Sequence, residues 1–254
     1  TKNPSHVHCV GHSLGGALAT LTADILSESK IAGVSLYTFG SPRTGAMGFS
    51  HNLTRKLQAE NIHRVYHSAE PVSMIPIFPF SHVPVSTSDI LLDWSGGLIA
   101  PAAHSMEHYI TSVGDAKWAS LRTGTLNSDW GERSKKWLES ASSEGVLMFS
   151  CKGLWMITQA LGWIIKKVLI GAAGVSLAVS ATLLDQLAWL LRQGVLASVE
   201  IAGYIKSLFV RILSFLGKAA STVGEITVAF VHWILSSLFT TLQNIAARSL
   251  SFIS

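Results

Sequence analysis

The sequence is poor in cysteine and in charged residues. Two of its 254 residues are cysteines, Cys9 and Cys151, so a framework of disulfide bonds or a cysteine-rich metal site is not expected. Charged residues make up 13% of the chain, and acids are scarcest near its end, where residues 146–254 hold three acidic and eight basic residues. A nucleic-acid groove needs clustered Arg and Lys among polar neighbours, which this apolar region lacks, so we expect no nucleic-acid partner.

What residues 146–254 contain instead is long uncharged runs, at 168–184 and 226–247. The second run has 22 residues, and a helix needs about 20 to cross a bilayer. Polar residues nevertheless recur at helical spacing within it (His232, Ser236, Thr240 and Gln243), and a similar narrow polar stripe extends from Asp185 to Glu225. We therefore predict a hydrophobic amphipathic helical region over 146–254 that associates with a membrane, preceded by a polar linker helix over 128–145.

Three interpretations of this helical region stay open. It spans the membrane as two or three helices, or it lies on the surface with tryptophans at the interface, or it packs as a helical bundle that never meets lipid. The excess of basic residues favours a membrane that carries anionic lipids as a partner. The tryptophans concerned are Trp155, Trp163, Trp189 and Trp233.

The first 127 residues have a different pattern. Short β-prone segments at 6–11, 33–40 and 62–67 alternate with helical patterns at 14–29 and 48–61. Such alternation is typical of βαβ units with a parallel sheet. Proline and glycine interrupt residues 68–102, where we expect loops and a strand pair near 82–92, followed by a short helix over 102–113.

The first strand and helix meet at the sequence Gly11-His12-Ser13-Leu14-Gly15, which is a G-x-S-x-G pattern. In this strand–turn–helix context the pattern predicts a nucleophile elbow, a sharp turn that exposes the serine hydroxyl. Ser13 is therefore the candidate nucleophile, and the amino end of the following helix is a candidate oxyanion site.

A serine nucleophile needs a histidine base and a carboxylate that orients it, and in this kind of fold the order along the chain is serine, acid, histidine. Glu70 follows a predicted strand and is the preferred acid, with Asp89 or Asp93 as substitutes. His104 and His82 compete as the base, with His108 behind them. The other histidines are expected to be structural, and His12 to line the elbow.

Four stretches resemble successive motifs of the class 3 lipases, a family of lipid esterases with the α/β-hydrolase fold. They read GHSLGGALATL, YTFGSPRTGAMGF, HRVYHSAEPVSMIP and AHSMEHYI, and the resemblance covers about residues 6–110. It implies Ser13 as nucleophile, the backbone N–H of Leu14 as an oxyanion donor and His104 as base. Tyr109 completes the H-x-x-x-x-Y pattern that favours His104, whereas His82 matches a second family histidine with a structural role.

The chain departs from the family pattern in two respects. Glu70 stands where the family usually has aspartate, so either the longer acid serves, another acid replaces it or the triad is degenerate. The resemblance also implies strands and a second oxyanion donor upstream of His6. We expect these to come from a preceding segment or from a second polypeptide, or to be lacking in an inactive remnant.

The predicted fold is thus α/β, a partial α/β-hydrolase sheet from the elbow onward over 1–127, followed by an all-α hydrophobic region. The predicted function is a membrane-associated serine esterase that cleaves acyl esters of lipids, as a triacylglycerol lipase or a phospholipase. The alternative is a membrane-anchored or pore-forming component with an inactive hydrolase remnant. No cofactor is expected, because the triad chemistry needs none.

Overall fold

The computed structural model describes residues 4–85, 89–121, 130–140, 149–171, 182–219 and 223–251. The chain divides into two compact units. One, here called the α/β unit, comprises residues 1–128 with 245–254, and the other, the helical unit, comprises residues 129–244. Each is described by itself. The predicted division of the chain into residues 1–127, 128–145 and 146–254 stays a prediction.

The α/β unit is built on a four-stranded sheet in the order β1-β2-β4-β6, in which every neighbouring pair is parallel. His12 at the end of β1 pairs with Phe39 at the end of β2, and Phe39 pairs with Val65 in β4. The carboxyl ends of these strands therefore meet at one edge of the sheet, where open α/β sheets place their sites. The strands of this unit are β1 (His6–His12), β2 (Gly33–Phe39), β3 (Gly45–Ala46), β4 (Ile62–His67), β5 (Phe80–Ser81) and β6 (Ile90–Leu92).

Helix α1 follows β1 and packs on the sheet through small side chains, among them Gly16, Ala19 and Ala23. These let the helix approach closely: a Cβ on Gly16 would lie 2.7 Å from Cβ of Ser41. Leu36 and Leu53 belong to the buried core that this packing closes. The helices are α1 (Leu14–Ser29), α2 (Met47–Leu57), α3 (Met106–Val113) and α4 (Trp118–Leu121), with 3₁₀ turns at Ala59–Asn61, Val72–Met74 and Pro101–His104.

The parallel sheet with its flanking helices, followed by helices, confirms the predicted fold class. The prediction of a strand pair near 82–92 is wrong. Here β5 pairs antiparallel with β3, while β6 joins the main sheet beside β4. Both strands are two or three residues long, so tertiary contacts decide their partners and periodicity could not.

The helical unit has an aliphatic core. Its helices are α5 (Trp130–Glu139), α6 (Cys151–Gly171), α7 (Leu183–Ala197), α8 (Val199–Phe215) and most of α9 (Val228–Leu250). A capping box between Thr182 and Asp185 starts α7. Within the described ranges, α6 and α9 are long and apolar enough to cross a membrane; half of the apolar window of α6 and a third of that of α9 is buried in the protein.

Two residues of the predicted polar stripe, Ser207 and Arg211, form hydrogen bonds with helix α5. Ser207 Oγ donates to the carbonyl of Leu138 at 2.6 Å, and Arg211 Nη2 donates to the carbonyl of Ser140 at 2.7 Å. The guanidinium of Arg211 also lies 4.2 Å from the ring centroid of Trp137. The last carbonyls of α5 thus find donors on α8, which satisfies groups that a helix end leaves unpaired.

Candidate active site

The corner between β1 and α1 holds Ser13 in a strained backbone conformation. Its φ of 57° and ψ of −131° are rare for a residue with a side chain. The N–H of Ser13 donates to the carbonyl of Phe39 at 2.9 Å, which ties the corner to β2. A Cβ on Gly11 would lie 2.1 Å from the carbonyl oxygen of Gly15, so glycine is required there, whereas Gly15 has open space. Of the two motif glycines, Gly11 is therefore the one that permits the close approach.

Three predicted site residues come together at this corner. The hydroxyl of Ser13 lies 2.8 Å from His104 Nε2, and His104 Nδ1 donates to Oε1 of Glu70. All three side chains are buried. Because Nδ1 can only donate to a carboxylate, Nε2 is the acceptor that faces the hydroxyl of Ser13. This arrangement lets a proton pass from serine to imidazole while the carboxylate orients the ring.

The structure shows how a glutamate fits where aspartate is usual. Gly40, which follows β2 with a φ of +56°, lies directly against the carboxylate: a Cβ on it would be 2.2 Å from Glu70 Oε1 and 3.0 Å from His104 Nδ1. The second carboxylate oxygen, Oε2, accepts from the hydroxyl of Tyr109 and from the backbone N–H of His67 at 3.4 Å. The absent side chain of Gly40 thus makes room for the longer acid, and Tyr109 holds it.

Two further histidines hold the segment that carries His104. The Nε2–H of His12 donates to the carbonyl of His104 at 2.7 Å, and Nδ1–H of His67 donates to the carbonyl of Ala103 at 2.8 Å. Burial lowers the pKa of both His12 and His67. Both rings are therefore favoured in the neutral form, and their contacts are with backbone. This agrees with the expectation that His12 lines the elbow.

The amino end of α1 begins at Leu14, directly after Ser13. The first N–H groups of a helix have no partner within the helix and face the end where Ser13 lies. They carry the positive end of the helix dipole, so a negatively charged oxygen is stabilised there. The structure therefore places the N–H of Leu14 at the start of this donor set.

The competing residues lie elsewhere. His82 Nε2 accepts from Arg64 at 2.9 Å, and Asp89 Oδ2 pairs with Arg64 Nη1 at 2.6 Å. Burial, reinforced by the charges of Arg64 and Arg43, holds the pKa of His82 well below its usual range. Asp93 is exposed, and His108 faces the carbonyl of Ala102 at 3.1 Å. None of these four side chains has a hydrogen bond to Ser13 or His104 in the described part of the chain.

Sequence reasoning did not find Gly40 or His67 as parts of this site. Gly40 has a visible signal, because a glycine that ends a strand predicts a positive φ or a close approach. His67 has none, because its role depends on contacts with residues that are remote in sequence. Among the described residues, no group of three or more His, Cys, Asp or Glu side chains is arranged to hold a metal ion.

A serine on a strained strand-to-helix corner, hydrogen-bonded to histidine and through it to a carboxylate, defines the site type of α/β-hydrolases. Residues 1–80 match the family described as Lipase (class 3). The predicted resemblance to the class 3 lipases is thereby confirmed over residues 1–80.

Individual relatives agree with the family match. The chain is 41% identical over 85 residues to a secreted mono- and diacylglycerol lipase 1 from Fusarium solani, covering 32% of this chain and 25% of that protein. It is 36% identical over 86 residues to a secreted mono- and diacylglycerol lipase A from Penicillium camembertii, covering 34% and 27%. The match thus spans about a quarter of the length of these relatives.

A solved structure is also similar in sequence over part of the chain. The crystal structure of lipase from Rhizopus microsporus var. chinensis is 28% identical, with a TM-score of 0.29, over 35% of this chain and 30% of that one.

Proposed function

We propose that this protein hydrolyses acyl esters of lipids through an acyl-enzyme formed on Ser13. The observation that carries the proposal is the continuous hydrogen-bonded chain from Ser13 through His104 to Glu70. The kinship with class 3 lipases supports it, since the two relatives compared are named as mono- and diacylglycerol lipases. Glycerides are accordingly the first substrate class to test, ahead of phospholipids.

The proposed reaction begins when Ser13 Oγ attacks the ester carbonyl carbon while its proton moves to His104 Nε2. The carboxylate of Glu70 stabilises the imidazolium that forms. The carbonyl oxygen becomes negatively charged and accepts the N–H of Leu14 at the helix end. The ester C–O bond then breaks, and the leaving alcohol takes the proton from His104, so an acyl group remains on Ser13.

The second half of the proposed reaction repeats these steps with water. His104 takes a proton from water as the oxygen attacks the acyl carbon, and Ser13 Oγ regains the proton when the acid leaves. No redox or metal step is needed for either half.

Apolar surface beside the nucleophile supports an acyl substrate. Val10, Leu14 and Leu18 lie one to five residues from Ser13 along the chain and are exposed. A shallow, open depression on the same sheet is lined by His8, Val10, Tyr37, Phe39 and Trp118. Apolar walls with a few polar groups are typical of sites for small organic ligands.

The test is labelling with a fluorophosphonate probe, which reacts only with an activated serine. We expect labelling of the chain and loss of it in Ser13→Ala, together with loss of soluble-ester hydrolysis by about 10⁴-fold or more. Ser81→Ala, which alters a serine outside the site, is the matched control. Equal labelling of the chain and Ser13→Ala would contradict the proposal.

A second candidate is a membrane-active protein in which the hydrolase part is inactive. The length and low polarity of α6 and α9 favour it. It predicts that the chain makes liposomes leak and that leakage survives Ser13→Ala. The hydrolase proposal predicts that any leakage disappears with this variant, because it would result from lipid hydrolysis.

A further inference from the structure

One end of the helical unit carries exposed aliphatic side chains from three helices. Gly194 in α7 lies against Val168 of α6 and Ile201 of α8: a Cβ on Gly194 would be 2.6 Å from Val168 Cγ2 and 3.1 Å from Ile201 Cγ2. The end of α6, the end of α7 and the start of α8 therefore meet at one place.

The residues next to this meeting point face solvent, although they are apolar. Exposure is 47% for Leu169, 72% for Ile170, 64% for Leu196 and 92% for Val199. Each lies one or two positions from a residue of the Gly194 contact, so the four share one end of the unit. We call these four residues the apolar tip. Burying such side chains would stabilise whatever complex covers them.

Cationic and aromatic residues lie just behind the apolar tip. Lys166 and Lys167 on α6 are exposed, and Lys167 Nζ lies 5.5 Å from the ring centroid of Trp163. Trp163 in turn packs edge-on against Tyr204, with 5.1 Å between the ring centroids. In a bilayer the acyl chains lie below the headgroups. Aliphatic side chains at the tip suit the acyl chains, and lysine and aromatic side chains one helical turn away suit anionic headgroups.

The charged helix α5, which neighbours α6 and α8, argues against a bilayer span by α6. This helix packs alongside both: Gly131 lies against Trp163 of α6, and Leu138 accepts from Ser207 of α8. Glu132 and Lys136 on α5 form an exposed ion pair. Charged side chains thus lie level with the middle of α8, where hydrocarbon would be costly, whereas the apolar tip lies beyond them.

We propose that the apolar tip inserts into the surface of an anionic lipid bilayer and so docks the protein on the membrane without spanning it. The purpose of this docking, delivery to lipid substrate, rests on the proposed function, but the binding does not. Lys166 and Lys167 would attract anionic headgroups, so binding should be stronger to membranes that carry negatively charged lipids.

The experiment is co-sedimentation of the full chain with vesicles, carried out in the Ser13→Ala background so that hydrolysis plays no part. One set of vesicles is phosphatidylcholine alone and the other includes phosphatidylserine. The paired variant Ile170→Glu with Val199→Glu replaces exposed side chains, so we expect unchanged thermal unfolding and about tenfold or greater loss of binding to both vesicles. The variant Lys166→Gln with Lys167→Gln should lose about fivefold per lysine on phosphatidylserine vesicles only.

The matched control is Leu183→Glu with Val228→Glu. These two residues are also exposed and apolar, but they lie near the start of α7, where Asp185 is 3.3 Å from His232. The control should bind vesicles as the parent does. The proposal is overturned if the control loses binding equally, if the tip variant binds like the parent, or if bound protein resists extraction by alkaline carbonate as a spanning protein would.

Another occupant of the apolar tip, a second copy of the chain, gives a distinct result. If a second copy of the chain covers it, light scattering without vesicles will show an oligomer that Ile170→Glu with Val199→Glu converts to monomer. That result would also overturn the proposal. The proposed hydrolase function is tested separately. The chain with Ser13 intact is assayed without vesicles for hydrolysis of a soluble short-chain ester, so failure of the hydrolase proposal is distinguished from failure of the membrane-docking proposal.

Discussion

The two units bury different kinds of side chain. In the α/β unit the buried residues include seven Arg, His, Glu and Tyr side chains, namely Arg43, His63, Arg64, His67, Glu70, His104 and Tyr109. In the described part of the helical unit the core is almost wholly apolar, and the buried polar side chains are Ser134, Ser150, Thr158 and Arg211. Burying a polar group costs free energy unless it is paired.

The hydrogen-bond partners of these buried polar side chains differ between the two units. In the α/β unit the hydrogen bonds converge on one serine at the edge of a sheet, through His104 and Glu70. In the helical unit Arg211 holds the end of a neighbouring helix. Convergent buried polarity is typical of a reaction site, and dispersed polarity is typical of structural support. The series of buried hydrogen bonds that ends at a serine thus lies in the α/β unit, whereas Arg211 connects helices within the helical unit.

The largest expected effect is that of Glu70→Gln, which removes the charge and keeps the size. A glutamine amide cannot stabilise the imidazolium and can hold His104 in the wrong tautomer, so we expect hydrolysis of a soluble ester to fall by about 10⁴-fold. Kinetics with a p-nitrophenyl ester measure it. Glu60→Gln, an exchange outside the site, is the control, and a loss under tenfold would show that Glu70 is not the working acid.

The motif order along the sequence was enough to predict Ser13, Glu70 and His104, and the structure brings them together. Helix 14–29 and strand 62–67 were also predicted with the bounds observed, because a tight glycine turn and a short β-prone segment mark their ends. Local patterns are informative where local structure is determined locally.

What the sequence could not predict depends on long-range contacts. The fit of Gly40 against Glu70 joins residues 30 positions apart, and the ion pair of Arg64 with Asp89 joins strand β4 to the residue before β6, 25 positions away. The strand β6 has three residues, too few for a periodic pattern. In each case the partner is decided by the packed fold, which a single sequence does not display.

In the helical unit the largest expected effect is on stability. Arg211→Met keeps an apolar stem but removes the donor to the carbonyls of Trp137 and Ser140, so the Ser140 carbonyl loses this partner and the Trp137 carbonyl is left with the hydroxyl of Ser140. We expect a loss of about 2–4 kcal/mol in the free energy of unfolding, measured by urea denaturation with tryptophan fluorescence. Probe labelling of Ser13 should stay unchanged below the unfolding transition. Lys206→Met, an exposed lysine on the same helix, is the control, and reduced labelling of folded Arg211→Met would break the division between the units.

A smaller effect concerns pH and belongs to the α/β unit. The pKa of His82 is held well below its ordinary value of 6.5 by burial and by the charges of Arg64 and Arg43. As pH falls below 6.5 the unfolded chain binds a proton at His82 that the folded chain does not, so stability declines toward acid. Between pH 6.5 and 5 this one group contributes a slope of up to about 1.4 kcal/mol per pH unit.

His82→Gln tests that slope, because glutamine keeps an acceptor for Arg64 but does not titrate. We expect the pH dependence of the unfolding free energy to become shallower by the contribution of one proton. His51→Gln, an exposed histidine, should leave the slope as it is. A parent slope that persists in His82→Gln would assign the acid sensitivity to other groups, such as His12 and His67.

The smallest effect should follow Tyr109→Phe, which removes one hydroxyl from the carboxylate of Glu70. The pKa of Tyr109 is raised well above its usual range by burial and by the charge of Glu70, so the hydroxyl stays a donor at working pH. Its ring keeps its contacts with Phe39 and His67 in the variant. We expect kcat to fall by about threefold to tenfold with KM for a soluble ester unchanged, the value of one hydrogen bond. If Tyr109 acts by positioning Glu70, Tyr109→Phe will lower kcat very little further when Glu70→Gln is already present. An equal loss of kcat in both backgrounds would show that the role of Tyr109 is purely structural.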